Sequence, residues 1–128
     1  MNIPGNLKYT ESNEWVLLEG NTGTVGISDY AQDQLSDIVF AEVIVNEGDK
    51  VNKGDSIATI ESVKAAADVY APISGKVSSI NEALGGTPEV INSDPYGTAW
   101  IVKIELSDPH EMDALLDSSA YEKLIQSQ

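Results

Sequence analysis

Short apolar segments alternate with turn-forming residues along most of this chain, and that rhythm constrains the fold more than any other feature. Trp15-Val16-Leu17-Leu18 gives way to Glu19-Gly20-Asn21, and Thr24-Val25-Gly26-Ile27 gives way to Ser28-Asp29. The run from Ile38 to Val45 ends at Asn46-Glu47-Gly48-Asp49, and a second such turn, Asn52-Lys53-Gly54-Asp55, follows Val51. Ser56 to Glu61, Asp68 to Ala71, Lys76 to Ile80 and Ala99 to Leu106 continue the series. Segments this short, bounded by Gly, Asn, Asp and Pro, predict many short strands. The expectation is a mostly β, antiparallel sandwich or barrel.

Helices are expected in two places. Ser28 is a good N-cap for Asp29 to Leu35, with Asp29 at the positive helix start and Ile27, Ala31 and Leu35 on one face. Near the C-terminus, Asp108-Pro109-His110-Glu111 reads as a cap, a first-turn proline and a Glu three residues after the cap. Asp117-Ser118 interrupts that helix, and Ala120 to Gln126 predicts another. Leu84 to Pro88 and Asn92 to Gly97 read as loops. At 128 residues the chain is expected to form one domain, 1–128, with enough core to need no disulfide or metal.

One segment stands apart. In Glu61-Ser62-Val63-Lys64-Ala65-Ala66-Ala67-Asp68 a lysine lies between two predicted strands, with no Gly or Pro to mark the turn. Lys64 is therefore expected at a hairpin tip, its amine held clear of the body for a modifying enzyme. Similar halves flank it. Phe40 to Val43 with a Gly48 turn precedes, and Val69 to Pro72 with a Gly75 turn follows, an arrangement that would set the lysine on a pseudo-two-fold axis.

Composition removes several classes of function. The chain has 21 acidic residues, seven lysines and no arginine, a net charge of −14. Phosphate and anionic lipid would be repelled, so neither a nucleic acid nor a membrane is an expected partner. Acidity suits docking to basic protein patches, and equally suits solubility. The absence of cysteine excludes a thiol nucleophile, a zinc-thiolate site and an intrinsic redox pair. The single His110 is expected at the surface without a metal or catalytic role. Trp15 and Trp100 are expected in strands, in or near the core; Tyr70 and Tyr96 are expected in packing, with a place on a docking face as the alternative. No base, nucleophile and oxyanion set is visible, so the chain is not expected to be an enzyme. No signal or transit peptide pattern is seen, and a bacterial-type cytoplasmic protein is expected.

These residues resemble the H protein of the glycine cleavage system. The resemblance runs through Lys8-Tyr9-Thr10-Glu11-Ser12 with Glu14-Trp15-Val16, Gly23 to Ile27 with Asp29 to Gln32, and Asp37 to Phe40. It continues through Glu61-Ser62-Val63-Lys64-Ala65-Ala66, Tyr70 to Gly75, and Ile91 to Gly97 with Trp100. It implies a barrel-sandwich hybrid of the lipoyl and biotinyl carrier kind. It also implies a covalent lipoate, joined by an amide to Lys64 through a lipoylating enzyme. A pyridoxal-phosphate glycine decarboxylase (P protein) would pass an aminomethyl group to the lipoyl arm. A folate-dependent aminomethyltransferase (T protein) would take the one-carbon unit, and dihydrolipoyl dehydrogenase (L protein) would re-oxidise the dithiol. The chain would be a monomeric carrier, with the cofactor supplying the reactivity.

The loaded arm would end in a cationic amine, and Ser12, Glu14 and Asp68 are the candidates to receive it in a groove, since a hydroxyl and carboxylates accept from ammonium. The alternative is that Glu14 and Asp68 are solvated surface charges. The chain departs from the family pattern at Asn13 and Gln34, where members carry His, at Ser36, where a Gly is usual, and at Gly85-Gly86. Ser36 implies a backbone angle open to any residue. A second function class is a lipoyl or octanoyl relay that hands its acyl group to other enzymes. A third is an unmodified interaction module in which Lys64 is an ordinary surface lysine.

Overall fold

A computed structural model describes residues 1–127; Gln128, the last residue of the expected domain, lies outside the described residues. Nine strands form two antiparallel sheets among the described residues. The larger sheet runs in the order β1 (Lys8–Tyr9), β2 (Glu14–Glu19), β3 (Thr22–Ile27), β9 (Val102–Leu106), β8 (Gly75–Ile80) and β5 (Lys50–Val51). The smaller has β6 (Ser56–Ser62) between β4 (Ile38–Val43) and β7 (Ala66–Tyr70). Strand rhythm in the sequence thus carries into a mostly β architecture.

Core residues come from both sheets. Val16, Val25, Ile57, Ile60, Ile73, Val77, Ile101 and Ile104 are all buried in one cluster. A second cluster, Leu7, Tyr9, Trp15 and Tyr121, joins the chain's two ends. Tyr9 and Tyr121 stack with ring centroids 4.5 Å apart and planes 2° from parallel. Trp15 crosses over Gly26, where an added Cβ would lie 2.6 Å from the indole ring. Only a residue without a side chain lets the ring pass there.

Strand boundaries differ from the sequence reading in informative ways. β9 begins at Val102 rather than Ala99, and Trp100 lies outside it, half-buried, with the Lys103 ammonium 5.2 Å from its ring centroid. β4 ends at Val43 rather than Val45. Leu84 sits in a short 3-10 helix, Glu82–Gly85, and helix α2 (Val90–Ser93) takes in the first two residues of the second expected loop.

That loop is a structural tie. Asn92 Oδ1 accepts from the Ile38 N–H at 2.8 Å while its amide donates to Gln32 Oε1 and the Ser36 carbonyl. The Pro95 carbonyl accepts from the Trp15 indole N–H at 3.0 Å. Tyr96 accepts from the Asp29 N–H and donates to the Asn2 carbonyl.

Helix α1 (Asp29–Leu35) starts as its sequence predicts, with Ser28 Oγ accepting from the Ala31 N–H at 3.1 Å. Its exit does not. Ser36 adopts φ 67° and ψ −154°, a region that favours glycine, so the expectation of an ordinary backbone angle is corrected. The Pro109 segment forms a 3-10 helix, Pro109–Ala114, capped by Asp108. Glu111 does not close a capping box; its carboxylate accepts from the Ser74 N–H at 2.7 Å and hydroxyl at 2.9 Å, pinning this segment to the turn before β8. The last helix, α3 (Ser118–Gln126), is capped by Asp117.

The two turns at Gly48 and Gly54, both before Lys64, share one geometry. Gly48 and Gly54 take φ of 91° and 94°, and Asp49 and Asp55 each accept from the Asn three residues earlier at 2.8 Å. Each turn also grips the other half of the chain. Gly48 N–H donates to the Val77 carbonyl and Gly54 N–H to the Ala71 carbonyl, both at 2.8 Å.

Candidate functional site

Lys64 is exposed at the tip of the β6–β7 hairpin. Ser62 supplies the turn chemistry that Gly or Pro would otherwise provide. Its N–H donates to the Ala65 carbonyl at 2.7 Å, and its Oγ accepts from the N–H groups of Ala65 at 3.0 Å and Lys64 at 3.3 Å. Side-chain hydroxyls commonly mimic backbone turns in this way. On the other side, Val63 N–H donates to the Asp37 carbonyl at 3.0 Å. The tip is therefore tied from two directions, while the amine has no partner among the described residues. Val63 is 67% exposed beside it, and Val39 and Phe40 are exposed on neighbouring β4.

Behind the tip, Ser12, Glu14 and Asp68 line one cavity of about 180 Å³ together with Gln34, Leu35 and Ala67. Asp68 is exposed on β7, four residues past Lys64. Glu14 and Ser12 also border a larger groove of about 640 Å³, walled by Tyr70, Pro72, Leu115 and Leu116, with Lys53 and Glu11 at its edge.

Glu14 is not a solvated charge, for it is 2% exposed. Its Oε1 accepts from the hydroxyls of Thr10 and Ser12, each at 2.6 Å, and its Oε2 from the Tyr70 N–H at 3.3 Å. Burial pushes the Glu14 carboxyl above the usual carboxylate range, and those donors, with its own N–H, offset part of the rise. Thr10 and the Tyr70 backbone escaped the sequence reading. The Thr-x-Ser-x-Glu spacing hints at a shared face, but a turn intervenes and only the folded chain brings the hydroxyls to one oxygen.

A family model for the glycine cleavage H-protein matches residues 7–128. The chain belongs to the glycine cleavage H-protein family. The Glycine cleavage system H protein of Acidobacterium capsulatum is 52% identical over 128 residues, covering 100% of this chain and 98% of the relative. That of Listeria monocytogenes is 51% identical over 125 residues, covering 98% of this chain and 99% of the relative. The crystal structure of a glycine cleavage system H protein from Mycobacterium marinum superposes with TM-score 0.87 at 32% identity, covering 97% of this chain and 99% of that one. The two sheets are thus the barrel-sandwich hybrid that the resemblance implied.

Within this H-protein scaffold, the departures acquire a place. Asn13 has φ 76°, a left-handed angle that Asn tolerates better than most residues, and its Oδ1 accepts from the Tyr121 hydroxyl at 2.9 Å. Gln34 lines the smaller cavity. His110 is exposed, with Asp113 3.8 Å away. Among the described residues no His, Asp and Glu cluster could hold a metal ion, and no helix is long and apolar enough to cross a membrane.

Proposed function

We propose that this chain is a lipoyl carrier of the glycine cleavage system, with lipoate attached through an amide to Lys64. The observation that carries the reading is an exposed lysine on a hydrogen-bonded hairpin tip whose strand β7 also meets the buried Glu14, through the Tyr70 N–H. The residues fit such an arm, because Lys64 can be acylated without disturbing any bond that holds the tip. When attached, lipoate supplies a dithiolane able to accept a chemical group and a pair of electrons.

The chain's own work is binding and presentation. Lys64 and Ser62 hold the arm's root, which raises its effective concentration at any docked active site. Glu14, Ser12 and Asp68 receive a cationic group at the arm's end and shield it from water. The decarboxylase, aminomethyltransferase and dihydrolipoyl dehydrogenase of the system would perform the reactions, in the cytoplasm, and this chain would catalyse none of them. Support comes from the family membership and from relatives named as components of that system.

Intact mass tests the attachment. Protein from lipoate-replete cells should carry a lipoyl increment that disappears in Lys64→Arg. Reconstitution with glycine and the decarboxylase should then load the arm. Bare Lys64 in replete cells, or a lipoylated protein that the decarboxylase ignores, refutes the proposal; the second result would favour an acyl relay instead.

A further inference from the structure

We propose that Thr10 is a positioning residue that aims Glu14, holding one carboxylate oxygen so that the other serves as acceptor for a cation at the end of the Lys64 arm. This rests on the arm-groove reading above. Glu14 Oε1 takes both hydroxyl bonds, from Thr10 and Ser12, each at 2.6 Å. An ionised carboxylate oxygen offers about two acceptor sites, so this oxygen is filled. Oε2 has the Tyr70 N–H at 3.3 Å, longer than an ordinary N–H to oxygen bond, and keeps acceptor capacity.

Thr10 does more than Ser12. Its Oγ1 also accepts from the Glu14 backbone N–H at 3.0 Å, and its own N–H donates to the Glu14 carbonyl at 3.0 Å. One hydroxyl thus grips the backbone and the carboxylate of the same residue, which fixes the side chain's direction before anything binds. The surroundings favour a cation. Glu14 and Asp68 are the ionisable residues lining the smaller cavity, and the larger groove adds Glu11, Lys53, Tyr9 and Tyr70. The ammonium of Lys53 is the one positive side chain on either wall among the described residues.

The absence of cysteine makes a direct test possible. Lys64→Cys provides a single attachment point in the full chain. Alkylation with a reagent of lipoyl-lysine length that ends in a primary amine gives a stable ammonium-tipped arm, and one ending in methyl gives the control. NMR then reads the Tyr70 amide shift and the pH titration of the Glu14 carboxyl carbon.

The ammonium arm should shift Tyr70 and the methyl arm should not. Thr10→Val should lower the docked-to-free ratio about tenfold, as expected for losing a hydrogen bond to a charged group. Thr10→Ser should restore it. Thr10→Val should also move the Glu14 titration to higher pH, because a donor favouring the carboxylate is gone. Thr10→Ala repeats the loss if the valine variant does not fold. Glu14→Gln should abolish docking. Docking unchanged in Glu14→Gln sinks the groove reading and the proposal with it. Docking lost in Glu14→Gln but kept in Thr10→Val and Thr10→Ala leaves the groove standing and overturns the role of Thr10.

Discussion

The Tyr121 hydroxyl donates to Asn13 Oδ1 at 2.9 Å, and so ties the last helix to the turn that carries Ser12 and Glu14. The same hydroxyl lies 2.6 Å from Ser28 Oγ, which accepts from the Ala31 N–H. A phenol has one proton, so with Asn13 receiving it, Ser28 must donate to Tyr121. Backbone adds a further tie, since Ser28 N–H donates to the Asn13 carbonyl at 2.9 Å. The relay joins the start of α1, the end of the chain and the groove turn. Burial pushes the Tyr121 phenol up to about 12, so the relay stays intact across the neutral range.

Tyr121→Phe keeps the stacked ring and removes the relay. Ser28 is fully buried and would keep the Ala31 N–H but lose the acceptor for its own proton. The expected cost is about 2 kcal/mol, equivalent to roughly 5–10 °C in Tm for a chain of this size. Calorimetry checks it, and a change under half a kilocalorie would show that water replaces the phenol without loss.

Ser36→Gly should stabilise the protein. Ser36 holds φ 67° and ψ −154°, which costs a residue with a Cβ about 1–3 kcal/mol. Glycine relieves that strain but loses more entropy on folding, so the net gain is about 1 kcal/mol. The bonds from Asn92 to the Ser36 carbonyl and from Ser36 N–H to the Gln32 carbonyl involve only backbone atoms of Ser36 and survive the change. A urea midpoint that falls in Ser36→Gly would show that the serine is not strained.

How much of this could be read from the sequence depends on how local the cause is. The hairpin at Lys64, the Ser28 cap and the strand rhythm are settled by neighbours in the chain and were legible. Ser12, Glu14 and Asp68 came from a family resemblance, since acids in an acidic chain give no signal of their own. Nothing local marks Glu14 as buried while its neighbour Glu11 is exposed. The Glu111 bond to Ser74 and the Tyr121 bond to Asn13 span 37 and 108 residues. In the first, a local capping rule gave way to a tertiary partner. The early end of β4 and late start of β9 follow the same logic, because pairing partners rather than propensity set where a ladder stops.

Ser62→Ala should loosen the tip without unfolding the body. The hydroxyl serves the N–H groups of Lys64 and Ala65, both exposed, so water can replace it. Stability should change by less than about 1 kcal/mol, typical of an exposed turn bond. Acylation is expected to suffer more, because a mobile lysine must be ordered each time an enzyme binds it, a cost of about 1 kcal/mol or several-fold in kcat/KM. Steady-state lipoylation of the unmodified protein measures this. An unchanged kcat/KM would mean that tip rigidity does not matter to the modifying enzyme.

Glu14→Gln should alter how stability depends on pH. Burial raises the folded-state pKa of Glu14 above its unfolded value. The folded chain therefore holds that proton more tightly, so Glu14 contributes its full stabilisation below the unfolded pKa and loses it as pH rises through the folded pKa. Glutamine imitates the protonated acid and cannot ionise. Relative to the parent, the variant should thus gain stability as pH rises from the ordinary glutamate value, about pH 4, through the raised folded-state value. Urea unfolding of both proteins at pH 4 and pH 7 gives the comparison. A difference that stays flat, or runs the other way, would mean that the Thr10 and Ser12 hydroxyls favour the carboxylate enough to cancel the effect of burial.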